Sequence, residues 1–408
     1  MRTGSRASAL LVSSPGVEHA AFLLGPGPNT RETVTALICP HQPLCPGCPR
    51  LAKPDTPPAA LERLAALANR LSAPEPRLHG SPPTAFRYRA RLAIRGRADA
   101  PKLGIFEQGT HRVVHIPRCL VHHPLINRVA SAVRDALAQH RVPTYSDSAH
   151  AGIARYVQVV VERESQRAQV TLVSNASAPD GLEPVFASLQ AALGPELQGL
   201  WWNGNPDRTN TILGPHLRHI CGERYVLDRS GSAQIFYPPS AFGQSHLELA
   251  MQLAARVREL ARPGDRISEL YAGVGAIGLG LVETANTLHL NELGEGSVEG
   301  LRLGVAALPD TARSRVRVHA GPAADFVGLI GQSDFVIADP PRKGLDAAVV
   351  RALADAPPAR FAYVSCDVDS FERDIAALTD AFRLTQLEAY DLFPHTERLE
   401  MLALFERR

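Results

Sequence analysis

The sequence predicts an α/β protein whose C-terminal part forms a doubly wound, mainly parallel sheet. Between residues 266 and 364, five short apolar runs alternate with helix-like segments. Strands that alternate with helices are typical of parallel sheets with crossover connections. Several of these runs end in a glycine turn or in polar residues, and ligands bind at strand ends in open α/β sheets. We therefore expect a functional site along this edge of the sheet.

The composition is ordinary for a globular protein. The chain has 408 residues, of which 45% are hydrophobic and 21% are charged. This length predicts two or three domains. The formal net charge is only +2, so it gives no argument for nucleic-acid binding. A local basic surface remains compatible with the sequence, because lysines and arginines together number 43.

The start of the sequence carries no pattern of a targeting or membrane-spanning segment. An apolar run at residues 9–12 is too short for the core of a signal peptide, and no stretch reaches the length of a membrane span. We therefore expect a cytoplasmic protein that does not contact membranes. Thiols stay reduced in that compartment, so the six cysteines indicate metal binding or catalysis rather than disulfides.

Three domains are predicted from changes in sequence texture. The N-terminal segment, residues 1–79, combines a cysteine-rich loop with a helix over 54–72, where leucines recur at helical spacing after two prolines. Residues 1–37 within it carry no pattern that predicts a structure. A central α+β domain is expected over 80–230, and the doubly wound sheet belongs to the third domain, 231–408.

Three cysteines in the N-terminal segment have the spacing C-x5-C-x2-C: Cys39, Cys45 and Cys48. Prolines and a glycine between them prevent a regular helix, so the loop can fold its thiolates around one centre. The next cysteine, Cys119, is the candidate fourth ligand. Four thiolates suit an iron–sulfur cluster or zinc. The alternative is that these are unconnected structural cysteines. Nearby histidines are alternative zinc ligands: His41, His122 and His123.

The central domain begins with a strand that carries many arginines. From Phe86 the sequence FRYRARLAIRG alternates aromatic or apolar residues with arginine, which predicts a strand with one basic face. The arginines of that face are Arg87, Arg89, Arg91 and Arg95. Such a face can contact phosphates or lie in solvent, and the sequence leaves both interpretations open.

A glycine turn and an acidic residue at neighbouring strand ends predict a nucleoside site. In the turn YAGVG, Gly273 and Gly275 allow a ligand to approach the backbone. The next run ends at Glu292, where a carboxylate can accept hydrogen bonds from both ribose hydroxyls. No Walker lysine follows the turn, so a nucleoside triphosphate is not expected. The pattern predicts S-adenosylmethionine or a dinucleotide. The alternative to a nucleoside site is that the glycines serve only close packing and that Glu292 is a surface residue.

Two further strand ends carry reactive side chains. In DPPRKG, two prolines fix a loop that presents Asp339 and Arg342 together, so the carboxylate can accept from a base N–H while the guanidinium donates to an oxygen. The run FAYV leads to Cys366. Taken alone, the aspartate could cap a helix and the cysteine could be a small buried hydrophobe. Together with a carboxylate at Glu400, they favour a catalytic site.

In its motifs the chain resembles the uracil-C5 RNA methyltransferases, which use S-adenosylmethionine. Five segments resemble the family's motifs in order: SAFGQSHLELA, ELYAGVG, DPPRKGL, YVSCD and LFPHTERLEML. The cysteine spacing resembles that of members that carry a [4Fe–4S] cluster, which implies Cys39, Cys45, Cys48 and Cys119 as its ligands. The resemblance implies a Rossmann-like class I methyltransferase domain in the C-terminal part.

The resemblance also implies a mechanism. Cys366 would attack C6 of uracil, and Glu400 would later remove the C5 proton. Asp339 and Arg342 would orient the ring and stabilise its developing charge. The implied cofactor-binding residues are Gln244, Tyr271, Gly273, Glu292 and Asp339. The implied partner is rRNA or tRNA, and we expect the protein to be a monomer.

Several residues depart from the family pattern around the expected base and cofactor sites. They are His246, Ala272, Ala276, Asp367, Val368 and Arg398. These departures leave the target and the turnover open. The alternatives are a methyltransferase that acts on another substrate, and a non-catalytic iron–sulfur protein that binds RNA.

Overall fold

The structure is a computed structural model, and it describes residues 37–53 and 58–408. Residues 1–36 and the start of the helix predicted over 54–72 lie outside the described residues. The described chain forms a seven-stranded sheet, an eight-stranded sheet and a two-stranded hairpin. In this part of the chain, no helix combines the length and the apolar surface that a bilayer crossing requires.

The described part of the N-terminal segment consists of a loop, one helix and one short strand. Residues 37–53 form consecutive turns, in agreement with their prolines and glycine. Helix α1 (Ala59–Arg70) falls within the predicted helix and buries the leucines at its helical spacing, including Leu64 and Leu67. Strand β1 (Arg77–His79) pairs in parallel with a strand of the eight-stranded sheet.

The seven-stranded sheet belongs to the central part of the chain. Its strands are β2 (Arg89–Arg97), β3 (Ala100–Phe106), β4 (Val113–His115), β5 (Ala154–Val161), β6 (Ala168–Ser174), β7 (Leu197–Gly204) and β8 (His216–Gly222). Their spatial order is β4-β3-β2-β5-β6-β7-β8. Two helices share a hydrophobic core with the sheet: α2 (Pro124–Gln139) and α3 (Glu183–Leu193). The structure agrees with the α+β prediction and adds β7 and β8, which were not predicted.

Strand β2 does not present the continuous basic face that the sequence predicts. Arg89 and Arg95 are buried, with 9% and 8% of their surface exposed. Arg89 donates to the Ala241 carbonyl at 2.9 Å. Arg95 forms a bidentate pair with Asp147, with N–O distances of 2.7 and 3.0 Å. Buried guanidinium groups need such partners, so neither arginine is free for a phosphate.

The C-terminal part begins with the hairpin of β9 (Val226–Ser230) and β10 (Ala233–Tyr237), followed by α4 (Leu247–Leu260). The further strands are β11 (Arg266–Leu270), β12 (Thr287–Glu292), β13 (Val316–Ala320), β14 (Phe335–Ala338), β15 (Arg360–Ser365), β16 (Phe382–Tyr390) and β17 (Glu400–Arg407). The helices are α5 (Glu295–Ala306), α6 (Asp310–Arg313), α7 (Ala347–Asp355) and α8 (Val368–Ala376).

The eight-stranded sheet confirms the predicted doubly wound, mainly parallel fold. Its order is β1-β16-β17-β15-β14-β11-β12-β13, and five of its seven strand pairs are parallel. From β11 the chain continues to β12 and β13 on one side, then returns to β14 on the other. Loops therefore diverge at the carboxyl ends of β11 and β14, and this leaves a crevice. Two features were not predicted: the antiparallel pair β16–β17, and a short 3₁₀ turn, Gly278–Leu281, after the glycine turn.

Candidate active site

A large cleft opens at the carboxyl ends of β11, β14 and β15. Its volume is about 1240 Å³. The cleft is lined by every side chain for which the sequence predicts a cofactor, substrate or catalytic role: Gln244, Tyr271, Gly273, Glu292, Asp339, Arg342, Cys366 and Glu400. Gly273, Glu292, Asp339 and Cys366 meet there because the carboxyl ends of parallel strands share an edge. Glu400 reaches the same edge as the first residue of the antiparallel strand β17.

The cofactor end of the cleft is built on the glycine turn after β11. The Glu292 carboxylate holds this turn, because Oε2 accepts the Gly273 N–H at 2.8 Å and Oε1 accepts the Gly294 N–H at 2.6 Å. Gly273 has φ of 58°, and Gly275 has φ of 85° and no room for a side chain beside Leu279. A carboxylate offers about four acceptor positions, so Glu292 keeps free capacity for a ligand.

The hydroxyl of Tyr271 is engaged in hydrogen bonds within the protein. Its hydroxyl donates to Asp346 Oδ2 at 3.0 Å and accepts the Asp346 backbone N–H at 3.1 Å. The phenol therefore ties the glycine turn to the loop after β14. Its backbone is left-handed, with φ of 60°. The half-exposed surface of Tyr271 at the cleft wall remains available for contact with a ligand.

The catalytic end of the cleft brings the thiol of Cys366 next to Arg342, Asp339 and Glu400. Burial, and then the charges of Glu400 and Asp339, raise the pKa of Cys366 to about 11, while Arg342 opposes this shift. This shift favours the neutral thiol over the thiolate. Because Arg342 interacts with the sulfur directly, it is the cation that would stabilise a thiolate.

Glu400 and Asp339 form the acidic side of this end. Glu400 is 1% exposed, and its Oε2 has no hydrogen-bond partner among the described residues. Burial, followed by the charge of Asp339, raises its pKa well above the usual value. Burial and the charge of Glu292 raise the pKa of Asp339 to about 7. A buried carboxyl without a partner is a candidate for proton transfer.

Two residues with a place in the cleft were not singled out from the sequence. Glu269, at the end of β11, is 1% exposed, and its Oε2 has no partner among the described residues. Burial and the charge of Asp339 raise its pKa well above the usual value. Phe242 lines the cleft although 65% of its surface is exposed. In the sequence, the position of Glu269 before the glycine turn and that of Phe242 within SAFGQ could have indicated these two residues.

Two of the departures from the family pattern have a structural explanation. Asp367 caps α8, where its carboxylate accepts the Ser370 N–H at 3.0 Å. His246 caps α4 in the same way through Leu249 N–H, at 3.4 Å. Aspartate is as good an N-cap as asparagine, so Asp367 preserves the helix start beside Cys366. Nothing in the structure explains the exposed Arg398.

The four cysteines of the predicted cluster come together away from the cleft. Burial raises the pKa of Cys48 to about 11, and the charges of Cys119, Cys45 and Cys39 contribute in that order. The guanidinium of Arg87 acts on Cys48 and Cys119 in the opposite direction. Its Nε is buried and has no partner among the described residues. The sequence predicts Arg87 on the basic face of a strand and gives no indication that it lies beside Cys48 and Cys119.

These thiols are not arranged around a single ion. Among residues 37–53 and 58–408, no group of three or more cysteine, histidine, aspartate or glutamate side chains is close enough to hold one metal ion. In a four-iron cluster each cysteine binds a different iron, so its sulfurs lie farther apart than the ligands of one zinc.

Comparison of the sequence with known proteins gives consistent results. The model of the tRNA (uracil-5-)-methyltransferase family matches residues 331–408. An uncharacterized RNA methyltransferase from Protochlamydia amoebophila is 33% identical over 381 residues, which cover 91% of this chain and 98% of the relative. Another from Enterococcus faecalis is 25% identical over 333 residues, covering 80% of this chain and 72% of the relative.

A solved structure of a tRNA methyltransferase has a similar fold. The crystal structure of Pyrococcus abyssi tRNA (uracil-54, C5)-methyltransferase in complex with S-adenosyl-L-homocysteine aligns with a TM-score of 0.71 and 23% sequence identity. The alignment covers 89% of this chain and 86% of that protein. At this level of identity the comparison shows similarity of fold only, and that similarity covers nearly the whole chain.

Proposed function

Since the chain belongs to the RNA methyltransferases and its residues 331–408 match the model of the tRNA (uracil-5-)-methyltransferase family, we propose that it methylates C5 of a uridine in rRNA or tRNA through a covalent cysteine–uracil intermediate. The observation that carries this proposal is the placement of Cys366 and Glu400 in one cleft, where Oε2 of Glu400 has no hydrogen-bond partner among the described residues. The reaction requires a nucleophile that adds to the uracil ring and a base that later removes a proton from the same ring.

The first step is addition of Cys366 to C6 of the uracil ring. The sulfur forms the new bond as a thiolate, and the electrons of the C5=C6 bond move to C5 and O4. Arg342 stabilises the thiolate and, with Asp339, holds the ring. Because burial and the neighbouring carboxylates raise the pKa of Cys366 to about 11, the thiol must lose its proton to solvent as the substrate binds.

S-adenosylmethionine supplies the methyl group that the activated C5 takes up. Glu400 then accepts the C5 proton, the C5=C6 bond reforms, and the Cys366 thiolate leaves. Methyl transfer leaves S-adenosylhomocysteine, and the enzyme is restored when Glu400 releases its proton to solvent and the Cys366 thiolate takes one up. Glu400 can act as this base once it is ionised, and a cationic ligand beside it favours ionisation.

The charge of the cleft supports S-adenosylmethionine as the ligand. Its sulfonium and ammonium groups are positive, and the inner cleft carries four carboxyl groups: Glu269, Glu292, Asp339 and Glu400. Glu292 would accept from the ribose hydroxyls, and Gln244 and the Gly273 turn would complete the site. Phe242 offers an exposed ring at the cleft on which a nucleobase can stack.

Loss of a single RNA modification tests the proposed function. RNA from a strain that lacks the gene should lack 5-methyluridine at one rRNA or tRNA position, and the purified protein should restore it in that RNA with S-adenosylmethionine. Mass mapping of the modified nucleosides checks this. Restoration of 5-methylcytidine, or of no methylated nucleoside, would contradict the proposal. A cytoplasmic location and a monomeric state stay predictions.

We also propose that Cys39, Cys45, Cys48 and Cys119 hold a [4Fe–4S] cluster. The proximity of the four thiols supports this, as does the guanidinium of Arg87 beside them, whose Nε has no partner in the described part of the chain. Protein purified without oxygen should be brown and contain about four irons per chain. Iron and zinc analysis measures this directly. One zinc per chain without iron would instead indicate a four-thiolate zinc site.

A further inference from the structure

The cysteine loop, residues 37–53, is attached to the turn that precedes Glu400. The attachment is made by Arg50, which is 8% exposed and lies two positions after Cys48. Its backbone N–H donates to the His395 carbonyl at 3.0 Å. Its Nη1 donates to the Thr396 carbonyl at 3.3 Å, and its Nε lies 3.1 Å from Glu397 Oε1. One residue thus holds three consecutive residues of the turn.

The same turn is held from its other side. Glu397 Oε2 accepts the backbone N–H of Ala59, the first residue of α1, at 2.9 Å. His395 has a left-handed backbone, with φ of 68°, and its Nε2 lies 2.6 Å from the Pro83 carbonyl. A left-handed conformation in a non-glycine residue persists only where surrounding contacts enforce it. The turn at 393–397 therefore depends on contacts from the N-terminal part of the chain.

The turn leads directly into the catalytic end of the cleft. It joins β16 to β17, and Glu400 is the first residue of β17, opposite Tyr390. The next residue, Met401, pairs with Ser365, which precedes Cys366. At the other end of the turn, Phe393 lines the cleft. A displaced turn would therefore move the carboxyl of Glu400 relative to a base bound at Cys366.

The position of Arg50 depends in turn on the cysteines. Cys48 O accepts the Leu51 N–H at 3.2 Å and the side-chain amide of Gln42 at 2.9 Å. These bonds make a compact turn that carries Cys48 and Arg50 together. Because 57% of the Glu397 side chain is exposed, its ion pair with Arg50 contributes little to overall stability. The contacts of Arg50 therefore fix the position of the turn 393–397 more than they stabilise the fold.

We propose that Arg50 is a positioning residue that links the cysteine cluster to the general base: it holds the turn 393–397 so that Glu400 reaches the C5 proton. This inference rests on the proposed function. It gives the cluster a structural role, since an intact cluster keeps the loop folded and thereby keeps Arg50 in place. The residue acts on the last chemical step and leaves nucleophilic attack unaffected.

The test separates proton removal from the earlier steps with two RNA substrates. With RNA transcribed with 5-fluorouridine triphosphate, C5 carries fluorine in place of the proton. Cys366 still adds and the methyl group still transfers, but fluorine cannot leave as a cation, so the covalent adduct persists without any base. Adduct formation on this RNA measures attack and methyl transfer alone. Turnover on ordinary unmethylated RNA adds the step that needs Glu400.

Arg50→Ala should form the fluorinated adduct at the wild-type rate but turn over ordinary RNA at least tenfold more slowly. A methylated protein–RNA adduct should accumulate on ordinary RNA and be visible by denaturing electrophoresis. Affinity for S-adenosylmethionine should change less than twofold. Arg50→Lys, which retains the charge, should recover part of the turnover. Wild-type protein stripped of iron should show the same accumulation.

Arg63→Ala is the matched control. Arg63 on α1 also ties the N-terminal segment to the C-terminal part, through Asp369 at 2.8 Å and Glu372 at 3.1 Å. Those partners lie on α8 and do not lead to Glu400, so this variant should behave as wild type on both substrates.

Three outcomes overturn the inference. They are normal turnover of ordinary RNA by Arg50→Ala, slowing of adduct formation on fluorinated RNA by the same factor as turnover of ordinary RNA, and normal turnover by the iron-free protein. The first and third leave the proposed methylation intact, because the wild type still forms 5-methyluridine. Failure of the wild type to form 5-methyluridine would instead overturn the proposed function, and this inference with it.

Discussion

Cys366→Ala should transfer no methyl group to RNA and should form no covalent complex with it. The substitution removes the sulfur that adds to C6, so C5 never becomes nucleophilic. Glu400→Gln should fail later. Cys366 can still attack and the methyl group can still transfer, but the C5 proton has no acceptor, so turnover should fall by about 10²- to 10⁴-fold. Denaturing electrophoresis with labelled RNA, together with release of 5-methyluridine, measures both steps.

The two variants are distinguished by what they accumulate. Glu400→Gln should trap a methylated protein–RNA adduct, whereas Cys366→Ala should show none. Cys221→Ala is the internal control, because Cys221 lies on β8 of the other sheet and should be dispensable. Normal turnover in Glu400→Gln, or an adduct in Cys366→Ala, would exclude the covalent mechanism for this chain.

The cleft could be assembled from sequence because parallel strands end at the same edge. Once the apolar runs before Gly273, Glu292, Asp339 and Cys366 are recognised as neighbouring strands, their following residues must approach one another, whatever the loop lengths between them. The pairing of these strands in the structure follows that argument. Which side chain contacts which ligand atom does not follow from it.

Residues whose role depends on packing could not be predicted in this way. The burial of Glu269 requires Gly278, because a Cβ at that position would lie 2.1 Å from Glu269 Oε2. Arg50 and Thr396 are 346 positions apart, and neither stands in a pattern that indicates its partner. The alternating arginines of β2 likewise gave no signal that Arg95 would pair with Asp147 inside the protein. Contacts of this kind are set by tertiary packing, which periodicity does not report.

Glu292→Ala should weaken binding of S-adenosylmethionine by roughly 10- to 100-fold while the protein remains folded. Hydrogen bonds to a charged group contribute about 1.5–3 kcal/mol each, and each 1.4 kcal/mol is tenfold in affinity. The substitution removes the expected acceptor of the ribose hydroxyls. It also frees the N–H groups of Gly273 and Gly294, which Glu292 holds at 2.8 and 2.6 Å. Titration calorimetry measures the affinity.

These two consequences of Glu292→Ala can be separated with a ligand that lacks one hydroxyl. If Glu292 accepts from the ribose, wild-type protein should bind the 2′-deoxy analogue of S-adenosylhomocysteine more weakly than S-adenosylhomocysteine itself, and the variant should bind both alike. If the carboxylate only supports the glycine turn, the analogue should lose the same affinity in both proteins. Glu295→Ala, at the exposed start of α5, should bind like wild type. Unchanged affinity in Glu292→Ala would mean that the ribose lies elsewhere in the cleft.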